Sequence, residues 1–358
     1  MPFQRYMEMA LYEPGLGYYV NGLHKFGAAG DFVTAPEHGR LFALALARQI
    51  DPLALELGPD WTVLELGPGS GALARDLLAQ LQSPPAKYLL LEPSAALREV
   101  QRETVSTLPA DLRSRVEWLA APPEDPFDGA VIANEVVDAL PVACFRVGET
   151  CIEEVSVTVE AGRLAWNYSP ARGRVLDAVE HALSDLPERP GVGYTSEVCV
   201  DLPEWLETVT APLHRGLALM IDYGYPRCEY YHGDRNEGTL VCHYRHRAHF
   251  DPFVWPGLTD ISAFVDFTAV AEAARRCGLE IAGFTSQAGF VLGSGVADAL
   301  EKVTDDRERL QLSGELKRLV LPGEMGEKFK VMALVRDIDG KLDWTSDAFM
   351  LTDQLDRL

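Results

Sequence analysis

One local unit constrains the fold more than any other stretch. Thr62-Val63-Leu64-Glu65-Leu66 is a short apolar run that stops at Gly67-Pro68-Gly69-Ser70-Gly71. Leu73, Leu77, Leu78 and Leu81 then recur at helical spacing. That is a buried strand, a tight turn and a helix. The turn needs glycine, because a Cβ would keep the backbone away from a nucleotide-like ligand and would forbid positive φ. The alternation continues with strands over residues 88–91, 116–119 and 130–133 and a helix over 95–107. Strands this short and this apolar belong to a parallel sheet with helices on both faces.

After residue 133 the pattern changes. Residues 144–147, 152–159 and 164–168 alternate like antiparallel ribbons, and helices are predicted over 175–183 and 202–209. Leu217-Ala218-Leu219-Met220-Ile221-Asp222 resumes the parallel-strand signature. Residues 223–262 read as a long loop rich in Tyr, His, Arg, Pro and Gly, and so long a loop in a compact domain is usually functional. A helix over 266–277, a strand over 279–285, a helix over 307–320 and a strand over 328–336 follow. Residues 1–60 read as an irregular Gly/Pro-punctuated segment and then an apolar helix over 39–50. The predicted architecture is α/β: a seven-stranded, doubly wound, Rossmann-like sheet with an inserted cap. The core is expected over 61–145 and 215–336, and the cap over 1–60, 146–214 and 223–262.

Composition narrows the partners. With 47% hydrophobic residues in 358, the chain can bury a core, which excludes a disordered or fibrous protein. Acidic residues outnumber basic ones 54 to 32, a formal net charge of −22. That field repels phosphate backbones and anionic lipid, so neither nucleic acid nor a membrane is expected as partner, and a basic protein substrate fits better. No apolar run reaches the roughly 18 residues of a membrane-spanning helix. The N-terminus lacks a signal or transit segment. Six scattered cysteines without a C-x-x-C pair suit reduced thiols in the cytoplasm. A homo-oligomer is left open.

Four constellations bear on chemistry. The turn reads G-x-G-x-G, not G-x-G-x-x-G, and neither a P-loop nor a G-x-S-x-G elbow occurs. Glu65 stands two residues before the first glycine, and Glu92 ends the next strand, 23 residues beyond Gly69. That combination resembles the S-adenosylmethionine site of class I methyltransferases. A carboxylate at Glu92 suits a ribose diol because it accepts two hydrogen bonds. Glu65, Gly67, Gly69, Gly71, Glu92 and Asn134 are therefore the expected cofactor-binding residues. The second constellation is Ala133-Asn134-Glu135-Val136-Val137-Asp138-Ala139-Leu140-Pro141, after the fourth strand, where ligands of open sheets bind. Asn134, Glu135 and Asp138 are the expected catalytic residues. Two acids and an amide suit a cationic acceptor, since a carboxylate can hold a guanidinium bidentately and make its nitrogen nucleophilic. Helix capping by Asn134 and Glu135 is the competing explanation. The third, Gly30-Asp31-Phe32-Val33-Thr34-Ala35-Pro36-Glu37, offers Asp31, Thr34 and Glu37 to the substrate side, together with Asp222; a solvated capping loop would look the same. The fourth spans Cys228, His232, Cys242, His243, His246 and His249. Its spacing matches no zinc pattern, and Arg245 and Arg247 would oppose a cation, so no metal is expected. It reads instead as an aromatic, basic loop packed over the active site.

Seven ordered blocks extend the resemblance over almost the whole chain. They are residues 3–19 (FQRYMEMALYEPGLGYY), 30–37 (GDFVTAPE), 65–71 (ELGPGSG), 133–142 (ANEVVDALPV), 222–224 (DYG), 257–268 (GLTDISAFVDFT) and 323–335 (GEMGEKFKVMALV). In these blocks the chain resembles the MidA-like family of S-adenosylmethionine-dependent methyltransferases, whose mitochondrial members are assembly factors for respiratory complex I. The resemblance implies a protein arginine methyltransferase that makes symmetric dimethylarginine and releases S-adenosylhomocysteine. The family's cofactor glycines fall on Gly67, Gly69 and Gly71 and its ribose acid on Glu92. Its N-E-x-x-D-A-L-P block falls on Asn134, Glu135, Asp138 and Pro141. The chain lacks the transit peptide of the mitochondrial members, which implies a bacterial, cytoplasmic protein. Residues 37–42 (EHGRLF) depart from the family's usual continuation, a change on the acceptor side. Two rival functions stand beside this one: a small-molecule methyltransferase, and a cofactor-binding assembly factor without turnover.

Overall fold

The computed structural model describes residues 1–21, 35–245, 247–338 and 346–358. Helix α1 (Phe3–Tyr12) and helix α2 (Leu41–Leu57) precede strand β1 (Thr62–Leu66). The alternation then proceeds as α3 (Ala72–Gln80), β2 (Lys87–Leu91), α4 (Ala95–Val105), β3 (Val116–Leu119) and β4 (Phe127–Asn134). Strand β9 (Leu213–Tyr225) returns beside β4. Strands β13 (Val265–Asp266), β14 (Glu280–Ser286) and β15 (Phe329–Arg336) complete the sheet. Its order is β14-β15-β9-β4-β1-β2-β3, with β13 paired to β9 off that path. Strand β15 runs antiparallel to both neighbours, and the pairs from β9 to β3 are parallel.

The seven-stranded sheet expected from the sequence is thus present. Every residue of β1 is buried, and alternate residues serve opposite faces. Val63 packs with Leu46, Ile50, Leu73 and Leu77 on one side, while Leu64 and Leu66 pack with Leu206, Phe267 and Val270 on the other. Strand order reverses between β1 and β4, so the loops at their carboxyl ends flank a crevice.

The cap is built on two small sheets, with helix Gly173–Ser184 packed on the larger of them and helix α1 between the two. Strands β5 (Ala143–Val147), β6 (Ile152–Glu160), β7 (Arg163–Pro170) and β8 (Thr195–Val198) form an antiparallel sheet of order β7-β6-β5-β8. Strands β10 (Val241–Tyr244), β11 (Arg247–His249) and β12 (Asp260–Ser262) form another, of order β11-β10-β12. Helix α1 fills the space between them. Its Phe3, Met7 and Leu11 pack with Val155 and Val157 of one sheet and Cys242 and Ile261 of the other.

Three expectations need correction. Residues 223–262 are not one loop: β9 runs on to Tyr225, a helix covers Arg227–Tyr230, and β10 to β12 follow. Strands of three or four residues carry too few positions to show a period. Residues 1–60 do not all belong to the cap, because α2 buries Phe42, Leu46, Ile50 and Leu53 in the core of the main sheet. The N-terminal segment is also less irregular than expected, since it contains α1. Among the described residues no helix is long and apolar enough to cross a membrane.

The centre of the sheet depends on small residues. Gly129 of β4 lies in register with Thr62 of β1 and Gly216 of β9. A Cβ on Gly129 would fall 1.8 Å from the Thr62 carbonyl oxygen, and one on Gly216 would fall 1.8 Å from that of Gly129. Backbone on both sides leaves nothing flexible to yield. Gly129→Ala is expected to destabilise the protein by about 2–3 kcal/mol, read as a lower urea midpoint; an unchanged midpoint would show that the strands can part without cost.

Candidate active site

The glycine turn sits where β1 ends. Gly67 (φ 55), Gly69 (φ 53) and Gly71 (φ 82) all occupy the left-handed region, which explains three glycines in five residues. A Cβ on Gly71 would press on the Gln101 Cα at 3.2 Å. Gln101 of α4 is fully buried and ties the turn to the next strand. Its Nε2 donates to the Gly69 carbonyl (2.9 Å) and to the Glu92 carboxylate (3.2 Å), while its Oε1 accepts from Trp118 Nε1 (3.1 Å). The other Glu92 oxygen accepts from the Ser94 N–H at 2.8 Å. Glu92 is therefore oriented before any ligand arrives. Glu65 is buried beneath the turn and accepts from Tyr88 Oη at 2.6 Å; burial raises its pKa to about 7.

The acidic loop follows β4. Asn134 ends the strand, and Glu135 has a φ of 54, a left-handed conformation that a glutamate adopts only when its surroundings impose it. Here its N–H donates to the Ile221 carbonyl at 2.8 Å. Asp222 then fixes the next residues: its Oδ2 accepts from the N–H groups of Val137 (3.0 Å) and Asp138 (3.2 Å). Tyr223 Oη donates to the Asp138 carboxylate. Asn134 Nδ2 donates to Glu135 at 3.3 Å. Burial raises the Glu135 pKa to about 8, with the charge of Asp138 adding to it, and raises Asp138 to about 6. Asp222 rises well above the carboxylate range, through burial first and then through Asp138 and Glu135.

A cavity of about 650 Å³ joins these parts. Glu65, Gly67, Gly69, Glu92, Asn134, Glu135 and Asp138 all line it. Gly71 does not, and begins α3 behind the turn. Asp222 corrects the sequence expectation. It is fully buried and stays off the cavity wall, because its carboxylate is turned onto backbone N–H groups rather than toward an acceptor. Asp31 and Thr34 lie outside the described residues, as does the side chain of Glu37; their neighbour Pro36 lines the cavity.

The cap supplies a further wall, and His243 on it belongs to the segment expected to pack over the active site. Asp260 of β12 and His243 of β10 face the cavity, beside Tyr12 and Tyr19, whose rings stack at 5.5 Å. Tyr223 and Phe264 meet edge to face at 5.1 Å on the same wall. Tyr12 Oη donates to the Ala139 carbonyl at 2.8 Å, which ties the N-terminal segment to the acidic loop. Signals for this wall were present: Tyr12, Tyr19 and Asp260 belong to blocks that the family resemblance had already marked. Gln101 also had one, a lone amide in line with Leu97 and Val105 on the buried face of α4. Among the described residues the Cys/His constellation does not converge, and His246 lies outside them. Cys242 points into the core beside α1, His243 faces the cavity and Cys228 is exposed.

The residues fit a nucleoside cofactor on their own evidence. The glycine turn leaves room for a close approach, and Glu92 presents a preset carboxylate. Asn134 Oδ1 is buried without a hydrogen-bond partner at the cavity wall. A buried acceptor of that kind awaits a donor from a ligand. Strand order, glycine turn and the acid that follows β2 together define a class I S-adenosylmethionine-dependent methyltransferase. Residues 45–285 match the family described as "Putative S-adenosyl-L-methionine-dependent methyltransferase", and the chain belongs to that family.

Solved structures and relatives agree. A protein from Burkholderia thailandensis, crystallised with S-adenosyl-homocysteine bound, is 40% identical over 100% of this chain and 92% of its own, with a TM-score of 0.91. The protein arginine methyltransferase NDUFAF7 homolog, mitochondrial, of Drosophila melanogaster is 28% identical over 93% of this chain and 81% of its own length. The Mus musculus protein arginine methyltransferase NDUFAF7, mitochondrial, is 27% identical over 92% and 80%. S-adenosylmethionine is the cofactor, and bound here it supplies an electrophilic methyl group. Gly67, Gly69, Glu92 and Asn134 are the residues that would hold it.

The raised carboxyl pKa values carry a sign that can be checked. Glu135 holds its proton in the folded protein up to about pH 8, but an unfolded glutamate loses it near pH 4.5. Stability from this group is therefore full below about pH 4.5 and is lost as pH rises toward 8. Glutamine never ionises. The melting temperature of Glu135→Gln relative to wild type should rise between pH 5 and pH 8 in cofactor-free protein. A difference that stays flat with pH would mean that Glu135 is not held in its neutral form.

Proposed function

We propose that this methyltransferase acts on a guanidinium nitrogen of a protein arginine. The observation that supports the reading best is the pairing of Glu135, Asp138 and Asp260 on one cavity with the rings of Tyr12, Tyr19 and Tyr223. Lys328 is the one lysine or arginine among the described residues lining it. A planar cation is stabilised there twice, by carboxylates and by aromatic faces. Crowded, half-neutral carboxyls would ionise as such a cation arrives, because an opposite charge nearby favours the charged form. The net charge of −22 draws a basic protein toward the cavity.

The side chains then have a limited task. A sulfonium leaving group needs no acid, so catalysis is mainly alignment of nitrogen, methyl and sulfur. In this reading Glu135 takes two guanidinium N–H groups and draws positive charge away from the attacking nitrogen. Asp138, held by Tyr223, keeps the second terminal nitrogen in place. Transfer to each terminal nitrogen in turn would give the symmetric dimethylarginine that the family resemblance implies. The Drosophila and mouse relatives, which are named protein arginine methyltransferases, support arginine as the acceptor residue.

The test is transfer of labelled methyl groups from S-adenosylmethionine to arginine peptides, to lysine peptides and to a small-metabolite extract. Label should appear in arginine, and hydrolysis with mass spectrometry should find symmetric dimethylarginine. Glu135→Gln should lose about 100-fold or more in kcat while keeping its affinity for S-adenosylhomocysteine. Label confined to the metabolites, or full turnover by Glu135→Gln, would overturn the reading.

A further inference from the structure

Methyl transfer to nitrogen releases one proton, and the residues that hold the acceptor are poorly suited to carry it away. As the N–CH3 bond forms, the S–CH3 electron pair returns to sulfur, and the attacking nitrogen is left with one N–H too many. A methylated guanidinium in that state is strongly acidic, so a strong base is not needed. What is needed is a group within reach that is uncharged before the step and can release the proton to water after it. In the arginine reading the half-buried Glu135 and the buried Asp138 are both occupied with the cation.

The three-stranded sheet of the cap places such a group on the same cavity. In the pairing of β10 with β12, Val241 faces Ser262, Cys242 faces Ile261 and His243 faces Asp260. Side chains alternate across a strand. Cys242 and Ile261 are both fully buried in the core beside α1. Val241, His243 and Asp260 take the other side, and all three line the cavity. Directly opposed residues in an antiparallel pair keep their Cβ atoms about 5 Å apart. Asp260 is 1% exposed and its second oxygen, Oδ2, accepts from Ser262 Oγ at 3.0 Å, which fixes the carboxylate in the sheet. His243 is only half-buried, so part of its side chain meets solvent, although its Nδ1 is buried.

We propose that His243 receives the proton that the acceptor nitrogen sheds, and that Asp260 is the positioning residue that orients the imidazole and stabilises its charged form. The proton passes from nitrogen to the imidazole lone pair and from there to water, which leaves the product amine or guanidine and neutral His243. Glu135, Asp138, Tyr12, Tyr19 and Lys328 face the same space and share its field. The inference rests on nitrogen as the methyl acceptor, but the His243–Asp260 pair can be tested without any acceptor.

The first measurement is a carbon-13 NMR titration of the histidines in the S-adenosylhomocysteine-loaded protein, with His243→Gln used to assign the signal. The His243 midpoint should fall by about one pH unit in Asp260→Asn. An unchanged midpoint would refute the pair. The second is kcat against pH on an arginine peptide. Wild type should lose activity as His243 becomes protonated, Asp260→Asn should move that acid limb to lower pH, and His243→Gln should lose the limb and about 100-fold in kcat with KM little changed. Wild-type kcat with the acid limb intact in His243→Gln would overturn the proposal. No transfer to arginine even by wild type would count against the arginine reading, while the NMR titration still decides the pair.

Discussion

The site depends on one buried carboxylate. Asp222, at the end of β9, accepts hydrogen bonds from the N–H groups of Val137 and Asp138 in the loop that leaves β4. Two neighbouring parallel strands are thereby joined at their carboxyl ends through a side chain. The join sets the path of the loop, and with it the left-handed backbone at Glu135 and the direction of Asp138. Hydrogen bonds to a charged acceptor are roughly twice as strong as neutral ones. Burial nevertheless pushes Asp222 toward its neutral form, so the same carboxylate that orders the loop also raises the electrostatic cost of its neighbours.

That cost has a functional consequence. Glu135, Asp138 and Asp222 lie together in a region that disfavours three negative charges. In the arginine reading, a cation entering the cavity would remove the conflict. Stored strain of this kind is a common property of binding sites, where the local structure is less stable than it could be. The glycine turn across the crevice has the opposite character. Its parts are already satisfied, with Gln101 bridging Gly69 and Glu92. One side of the cavity is prepared for a cofactor and the other is tense until an acceptor arrives.

These two sides were not equally legible in the sequence. The turn is local: Glu65 to Gly71 sit on consecutive residues, and Glu92 follows at a distance fixed by one helix and one strand. The acidic loop is local as well. The acceptor wall is not. Tyr12, Tyr19, His243 and Asp260 come from segments some 220–250 positions apart, brought together by α1 and by strands too short to leave a periodic trace. Helix α1 did leave one, since Phe3, Met7, Ala10 and Leu11 are spaced to share a face, but Glu13-Pro14-Gly15 directly behind it masks the signal. Asp222 was recognised as important and given the wrong task. Nothing in a sequence distinguishes a carboxylate aimed at a ligand from one aimed at the backbone that leaves the neighbouring strand.

The most direct test of the account is a crystal structure of the S-adenosylhomocysteine complex soaked with N-acetylarginine amide. The account predicts a guanidinium plane against Glu135, with one terminal nitrogen about 3–4 Å from the place a methyl group would occupy on the sulfur, and His243 on the far side of that nitrogen. A guanidinium bound outside this cavity, or Glu135 turned away from it toward the protein interior, would contradict the account.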